Sequence, residues 1–240
     1  MPTPDIAEEW QDHGAGYRTT VASGPSSSSW LRDVVLKPEI IRLLGNRSGE
    51  RVLDAGTGSG WLFDAVDIGE RHACDIARPE SVRPDVAFVE ANISDLPYPD
   101  RHFDAIVASI VLCYCGDLTA VVHELHRVTQ PGGTLVVALV HPYFYRTGEA
   151  LEDDRFVVEA DLSQPGRFDI VIGGTAGPFT YYRYSIPDYI NALVRHGWQL
   201  EETTELFVPR AEYQSRFQAN DLVRRSTRVP LFVTFRFKQI

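Results

Sequence analysis

Apolar residues along this chain change their spacing from segment to segment, and the changes predict alternating strands and helices. Short apolar strand runs stand at Arg51–Ala55, His72–Asp75, Val86–Glu90, Phe103–Ser109 and Thr134–Val140. Trp61–Val66 reads as a short helix after the first of them. Leu118–Thr129 reads as a longer one, because Val121, Val122, Leu125 and Val128 recur on one helical face. Upstream, residues 1–24 form an N-terminal arm, and the Gly24–Ser29 run is a turn and helix cap. Trp30–Leu44 is then helical, with Pro38 restarting it at a first-turn position. Strands alternating with helices in this way predict an α/β, doubly wound, mostly parallel sheet.

The alternation breaks after the fifth strand. Pro142–Ser185 is rich in glycine, aspartate and aromatic residues, and structureless loops of that length are rare in compact domains. It is therefore expected to be an inserted lid with some β structure. Pro187–His196 follows as a helix. Two β-rich runs, Gln199–Val208 and Leu231–Phe237, are joined by Pro209–Pro230 and would close a seven-stranded sheet. Residues 1–240 are read as one domain, with 1–45 as arm and helices and 142–185 as lid.

Composition narrows the classes of function. A chain of 240 residues that is 44% hydrophobic can bury one full core. Its net charge of −10 argues against a nucleic-acid partner, for which a basic face normally supplies most of the affinity. The acidity is uneven: from Leu206 onward seven basic residues face two acidic ones. That segment is either a solvated surface or a face for an anionic partner. Cys74, Cys113 and Cys115 are too sparse for a zinc site or a disulfide framework, so no metal is expected and a reducing, cytoplasmic setting is. No apolar run long enough to span a bilayer is present, and no membrane partner is expected.

The chemistry gathers around Asp54-Ala55-Gly56-Thr57-Gly58-Ser59-Gly60, where a strand runs into an acidic residue and three alternating glycines. Such a turn lets backbone N–H groups approach a small charged ligand at the carboxyl edge of a sheet. A dinucleotide fingerprint is excluded, because Trp61 or Phe63 stands where its third glycine belongs. A phosphate loop is excluded too, since no Lys-Ser/Thr pair follows. Asp75 ends the second strand, where a carboxylate can accept both hydroxyls of a ribose or simply cap the next turn.

Together these segments resemble the class I S-adenosylmethionine (SAM)-dependent methyltransferases, specifically the small-molecule, type 11-like group with its Rossmann-like fold. The resemblance rests on Asp54 to Gly60, on Asp75-Ile76, on Ala91-Asn92-Ile93-Ser94-Asp95-Leu96-Pro97, and on Arg127-Val128-Thr129-Gln130-Pro131-Gly132-Gly133. It implies SAM as cofactor, held by Asp54, Gly56, Thr57, Gly58 and Gly60. Asp75 would hold the ribose and Ile76 would pack on adenine. Asn92, standing where the group carries Asp, would accept from the adenine amino group, and Ile93 would donate its backbone N–H to the ring. Carbonyls at Ser109 would receive the ammonium group, and Tyr17 with His13 would fold over the methionine end. The Pro-Gly-Gly turn would end a helix and feed strand five. The interval from Gly60 to Asp75 is short for the group, as is the room for a second helix before Val86, so a thin adenine wall is expected.

The reaction implied is in-line transfer of a methyl group to an O, N or C nucleophile of a small, aromatic acceptor, and specialised metabolism is its expected setting. His141, just after strand five, is a candidate base or a residue that orients the lid. A subset of the family is similar in having His-Pro here and an aromatic-Arg segment later, which makes Arg183 and Tyr184 further catalytic candidates. Tyr143, Tyr145, Tyr182 and Tyr184 would either wall a planar acceptor or form half-buried lid strands, His13 is a further acceptor-binding candidate, and Tyr114 stands after strand four where many relatives carry His. Two other classes share this architecture: a SAM-fold enzyme that cyclises or rearranges without methylating, and a non-catalytic binding module.

Overall fold

In a computed structural model, residues 6–22, 27–144, 147–150, 156–158, 166–170, 177–211 and 221–240 are described. The N-terminal arm is a helix, α1 (Ile6–Ala22). It is followed by α2 (Ser27–Leu31), a π-helical turn (Arg32–Leu36) and α3 (Lys37–Leu44). Then come β1 (Arg47–Ala55), α4 (Leu62–Ala65), β2 (Ile68–Asp75), β3 (Val86–Glu90), β4 (Phe103–Ser109), α5 (Leu118–Val128) and β5 (Thr129–Val140). The lid contributes β6 (Thr147–Ala150), β7 (Phe156–Val158), β8 (Gly166–Ile170) and β9 (Phe179–Arg183). The chain closes with α6 (Ile186–Arg195), β10 (Trp198–Leu206), α7 (Asp221–Ser226) and β11 (Phe232–Gln239).

Seven strands form one sheet in the order β10-β11-β5-β4-β1-β2-β3. β1 to β5 run parallel, and β11 is antiparallel to both β5 and β10, so the last two strands close the edge as expected. The expected β structure of the lid is two antiparallel pairs, β6–β7 and β8–β9. Chain order reverses between β1 and β4. At such a switch point the connections leave on opposite faces and open a crevice beyond the carboxyl ends of the strands.

Local sequence explains the elements that frame this crevice. α5 starts where the Asp117 carboxylate accepts the Ala120 N–H at 2.9 Å, and it buries Val121, Val122, Leu125 and Val128 against the sheet. α6 starts with a capping box between Ser185 and Asp188. Ile106 to Ala108 and Leu135 to Leu139 are fully buried, as strands covered on both faces must be.

Several boundaries differ from the expected ones, among them the Gly24–Ser29 run, which is already helical from Ser27. β1 begins at Arg47, four residues early, by a polar extension across Gly49 (φ 87°) with a register shift before Arg51. β2 likewise begins at Ile68. Pro131-Gly132-Gly133 does not end the helix: Thr129 already turns extended, and Gly132 (φ 81°) lies within β5 beside a register shift. Among the described residues no helix is long and apolar enough to cross a membrane.

Candidate active site

The crevice holds a cavity of about 290 Å³ whose lining comes from four places: the Gly56–Ser59 turn, the carboxyl ends of β1 to β4, the loop from Tyr114 to Asp117 with the start of α5, and the N-terminal helices. Gly56, Gly58 and Gly60 have φ of 74°, 54° and 72°, which L side chains rarely adopt. At Gly56 space is decisive as well, since a Cβ there would stand 2.5 Å from the Val111 side chain. The turn is pinned by Gly56 and Thr57 N–H groups donating to the Cys74 carbonyl at 2.9 and 3.0 Å, and Gly60 N–H closes on Thr57 O. Gly60 shapes the turn from outside the cavity lining.

Asp54 is 2% exposed and accepts the Thr57 hydroxyl at 2.7 Å. Burial pushes its carboxyl up to about 7, against the pull of that hydroxyl and with the nearby charge of Asp75 adding to the rise. Asp75 accepts Gly58 N–H at 2.8 Å and Ala77 N–H at 3.2 Å, which fixes its plane at the cavity rim. Two carboxylates on one side of a small cavity favour a cationic ligand. Ile76, Asn92, Ile93 and Ser109 also line it.

Asn92 stands in the expected place with its oxygen turned elsewhere. Its Oδ1 accepts both the Ser94 N–H (3.1 Å) and the Ser94 hydroxyl (2.9 Å), so the expected acceptor for an adenine amino group is already occupied. The surrounding loop is held by α5. Glu124 accepts Leu96 N–H at 2.7 Å, while Arg127 donates to the carbonyls of Leu96 and Tyr98 and pairs with Asp100. Ile110, just past Ser109, has φ 54°, a left-handed conformation costly for a β-branched residue. Its N–H reaches Ala138 O at 2.7 Å, and its side chain lines the cavity.

The expected catalytic trio is placed away from the cavity. His141 is fully buried, with Nε2 3.1 Å from a Glu205 carboxylate oxygen and Nδ1 accepting Tyr143 N–H at 3.2 Å. Burial holds its pKa down, and with both ring nitrogens engaged it anchors the start of the lid. The Tyr184 hydroxyl donates to the carbonyls of Gly116 (2.8 Å) and Cys115 (3.1 Å). Arg183 lies on the β8–β9 pair, its guanidinium over Gly166.

Of the expected acceptor wall, Tyr114 lines the cavity, whereas Tyr143 is largely exposed beside His141. Tyr182 packs over Gly116, behind the lining, and His13 packs over Gly177. Tyr145 and the side chain of Tyr17 lie outside the described residues. The observed wall is Trp10 with Tyr114, edge to face at 5.0 Å, backed by Phe179 and Tyr181. Glu9 fastens α1 over it by accepting Thr180 N–H (2.9 Å) and hydroxyl (2.7 Å). Trp10, Arg32, Lys37 and Asp117 are lining residues that the sequence motifs do not mark. Pro38 inside a helical stretch was the one available signal for two of them.

Comparison with known proteins follows the same geography. Residues 53–137, from β1 into β5, match the family described as a methyltransferase domain. The demethylmenaquinone methyltransferase of Beutenbergia cavernae is 43% identical over 102 residues, which cover 40% of this chain and 42% of that protein. A ubiquinone/menaquinone biosynthesis C-methyltransferase of Shewanella sp. is 34% identical over 117 residues, covering 42% and 47%. These matches thus span less than half the length of either relative. The SAM-dependent methyltransferase of Mesorhizobium loti has a TM-score of 0.69 at 20% identity, over 84% of this chain and 96% of that one. The overall fold is shared across that distance.

Proposed function

From the premise that this chain carries a class I SAM-dependent methyltransferase domain, we propose that it transfers a methyl group from SAM to a small, planar acceptor. One observation carries the reading: Asp54, the Gly56–Gly58 turn and Asp75 converge on one cavity that also has an aromatic end at Trp10 and Tyr114. The residues fit the cofactor. Asp75 would take the ribose hydroxyls, with its carboxylate plane already set by two backbone donors. Ile76 and Ile93 would flank the adenine, and the β4 end at Ser109 would meet the ammonium group. Asp54 and Asp75 would offset the cofactor's positive charge.

When bound, SAM supplies an activated methyl group on a sulfonium, so the chain's own task is alignment and exclusion of water. Such positioning is worth about 7–11 kcal/mol in favourable cases. Trp10 and Tyr114 would stack an acceptor ring, while α1, fastened by Glu9 to Thr180, would cover it. No histidine lines the cavity among the described residues, whereas Asp117 and Tyr114 do. This favours an acceptor that releases its proton readily, such as an acidic carbon or a phenol. His141 is given a structural role.

The test is a screen of phenols, enolisable carbonyl compounds and amines with labelled SAM. Label in the acceptor, matched by S-adenosylhomocysteine release, supports the reading. Cofactor bound without being consumed, while an acceptor is rearranged, would favour the non-methylating class.

A further inference from the structure

A carboxamide carries one acceptor atom and one donor atom, so whichever of them the fold takes decides what the other can offer. At Asn92 the fold takes the oxygen. Two donors of Ser94 converge on Oδ1, the backbone N–H at 3.1 Å and the hydroxyl at 2.9 Å. Asn followed two residues later by a free N–H closes such a turn readily. A main-chain N–H can only donate, so reversing the amide would set its NH2 against Ser94 N–H. The loop is also held in place around it. Asp95 N–H donates to Asn92 O at 2.9 Å, Ile93 and Leu96 are buried, and Glu124 accepts Leu96 N–H at 2.7 Å.

Asn92 lines the cavity with Ile93 and Ser94, on the side of Asp75 and Ile76. With Oδ1 spent on Ser94, the Asn92 amide leaves its NH2, a donor, for a ligand there. The Ile93 N–H follows directly in the chain, and no described group accepts it. The Ser94 hydroxyl has its proton on Asn92. Two neighbouring groups on this side therefore present donors, where a purine amino group would ask for an acceptor.

We propose that Asn92 meets the base of the cofactor with a donor, so that this site does not select a 6-amino purine over a 6-oxo purine. The inference rests on the SAM reading above and deepens it by naming which bases the site admits. Adenine presents an amino donor at position 6 and an acceptor at N1. It would match Ile93 N–H and oppose Asn92 NH2. Hypoxanthine presents a carbonyl at position 6 and an N1–H, so it would match Asn92 and oppose Ile93. Each base makes one match and one opposed pair. A carboxylate at position 92 would break the tie, because one oxygen keeps Ser94 while the other accepts the amino group. Adenine would then make two matches and hypoxanthine none, and polar groups left opposed reject a ligand more strongly than lost contacts do.

The experiment titrates the full chain with S-adenosylhomocysteine and with S-inosylhomocysteine, its 6-oxo counterpart of equal charge. The ratio of the two Kd values reads the base alone, since a new charge at position 92 or a loss of folded protein acts on both ligands alike. The parent chain should bind the two within about threefold of each other, and Asn92→Asp should favour S-adenosylhomocysteine by about tenfold to a hundredfold. Asn92→Ala removes the donor and leaves Ile93 N–H to choose, so it should favour S-adenosylhomocysteine by a smaller factor, about threefold to tenfold. A parent chain that already prefers S-adenosylhomocysteine by about tenfold or more overturns the proposal. If Ser94→Ala then abolishes that preference, the Ser94 hydroxyl is the acceptor in place of the Asn92 donor. Ratios unchanged in both Asn92 variants overturn the proposal as well. A parent chain that binds neither ligand removes the SAM reading itself, which separates the two failures.

Discussion

The two ends of the cavity are built by different means. Its proposed cofactor end is made mostly by backbone: a glycine turn, strand ends, and the Asp75 carboxylate held by main-chain N–H groups, all between Asp54 and Ser109. Its proposed acceptor end is made by side chains drawn from distant segments, namely Trp10 of α1, Tyr114 and Asp117. Backbone geometry demands particular residue types at fixed spacing, because a positive φ or a close approach admits few alternatives. A wall of side chains demands only shape, and many residues from many places supply it. The first end should therefore fail sharply under substitution, and the second should change its preference gradually.

The largest effect is expected at Gly56. Gly56→Val would force a β-branched residue into φ 74° and against Val111. The cost should be about 3 kcal/mol or more in stability, read as a drop in melting temperature, together with loss of SAM binding. Gly58, where nothing lies within 4 Å of an added Cβ, sharpens the contrast. Gly58→Ala should cost only the backbone strain, about 1 kcal/mol.

Next comes His141→Ala, which leaves Glu205 and Tyr143 N–H without their partner. It should destabilise the fold by about 2–3 kcal/mol while turnover per folded molecule is kept. A selective collapse of turnover with unchanged stability would return His141 to the role of base. Trp10→Ala should raise the acceptor KM about tenfold or less and leave SAM affinity unchanged, in line with the loss of one aromatic contact.

The last effect concerns pH. Asp54 has its carboxyl pushed from 3.8 up to about 7, so between those values the folded chain keeps a proton that the unfolded chain has released. Folding should weaken as pH rises through that window. Binding of cationic SAM should instead tighten as Asp54 loses its proton near pH 7, and Asp54→Asn should flatten that dependence. A pH-independent affinity in the parent chain would contradict the placement of Asp54 beside the ligand charge.

How much of this was legible in the sequence follows the same division. The succession of strands and helices, the glycine turn and Asp75 were readable because continuous apolar runs, positive φ and strand-end carboxylates constrain residue type locally. Asn92 was readable as a position but not in orientation, since the Ser94 turn that takes its oxygen competes with the ligand only in three dimensions. His141 stood at the right sheet edge, yet only the fold reveals that Glu205, 64 residues later, buries and occupies it. Trp10 and Lys37 carry no local mark of their place in the cavity lining. The aromatic wall was sought in the lid tyrosines because aromatic density is visible in a string, whereas the docking of α1 by Glu9 on Thr180 is not.

Calorimetric titration of the parent chain and of Asp75→Ala with S-adenosylhomocysteine tests the central claim most directly. Micromolar binding by the parent, weakened by about 1–3 kcal/mol in Asp75→Ala, is the predicted result. Absence of binding by the parent, or equal affinity in the two chains, would contradict it.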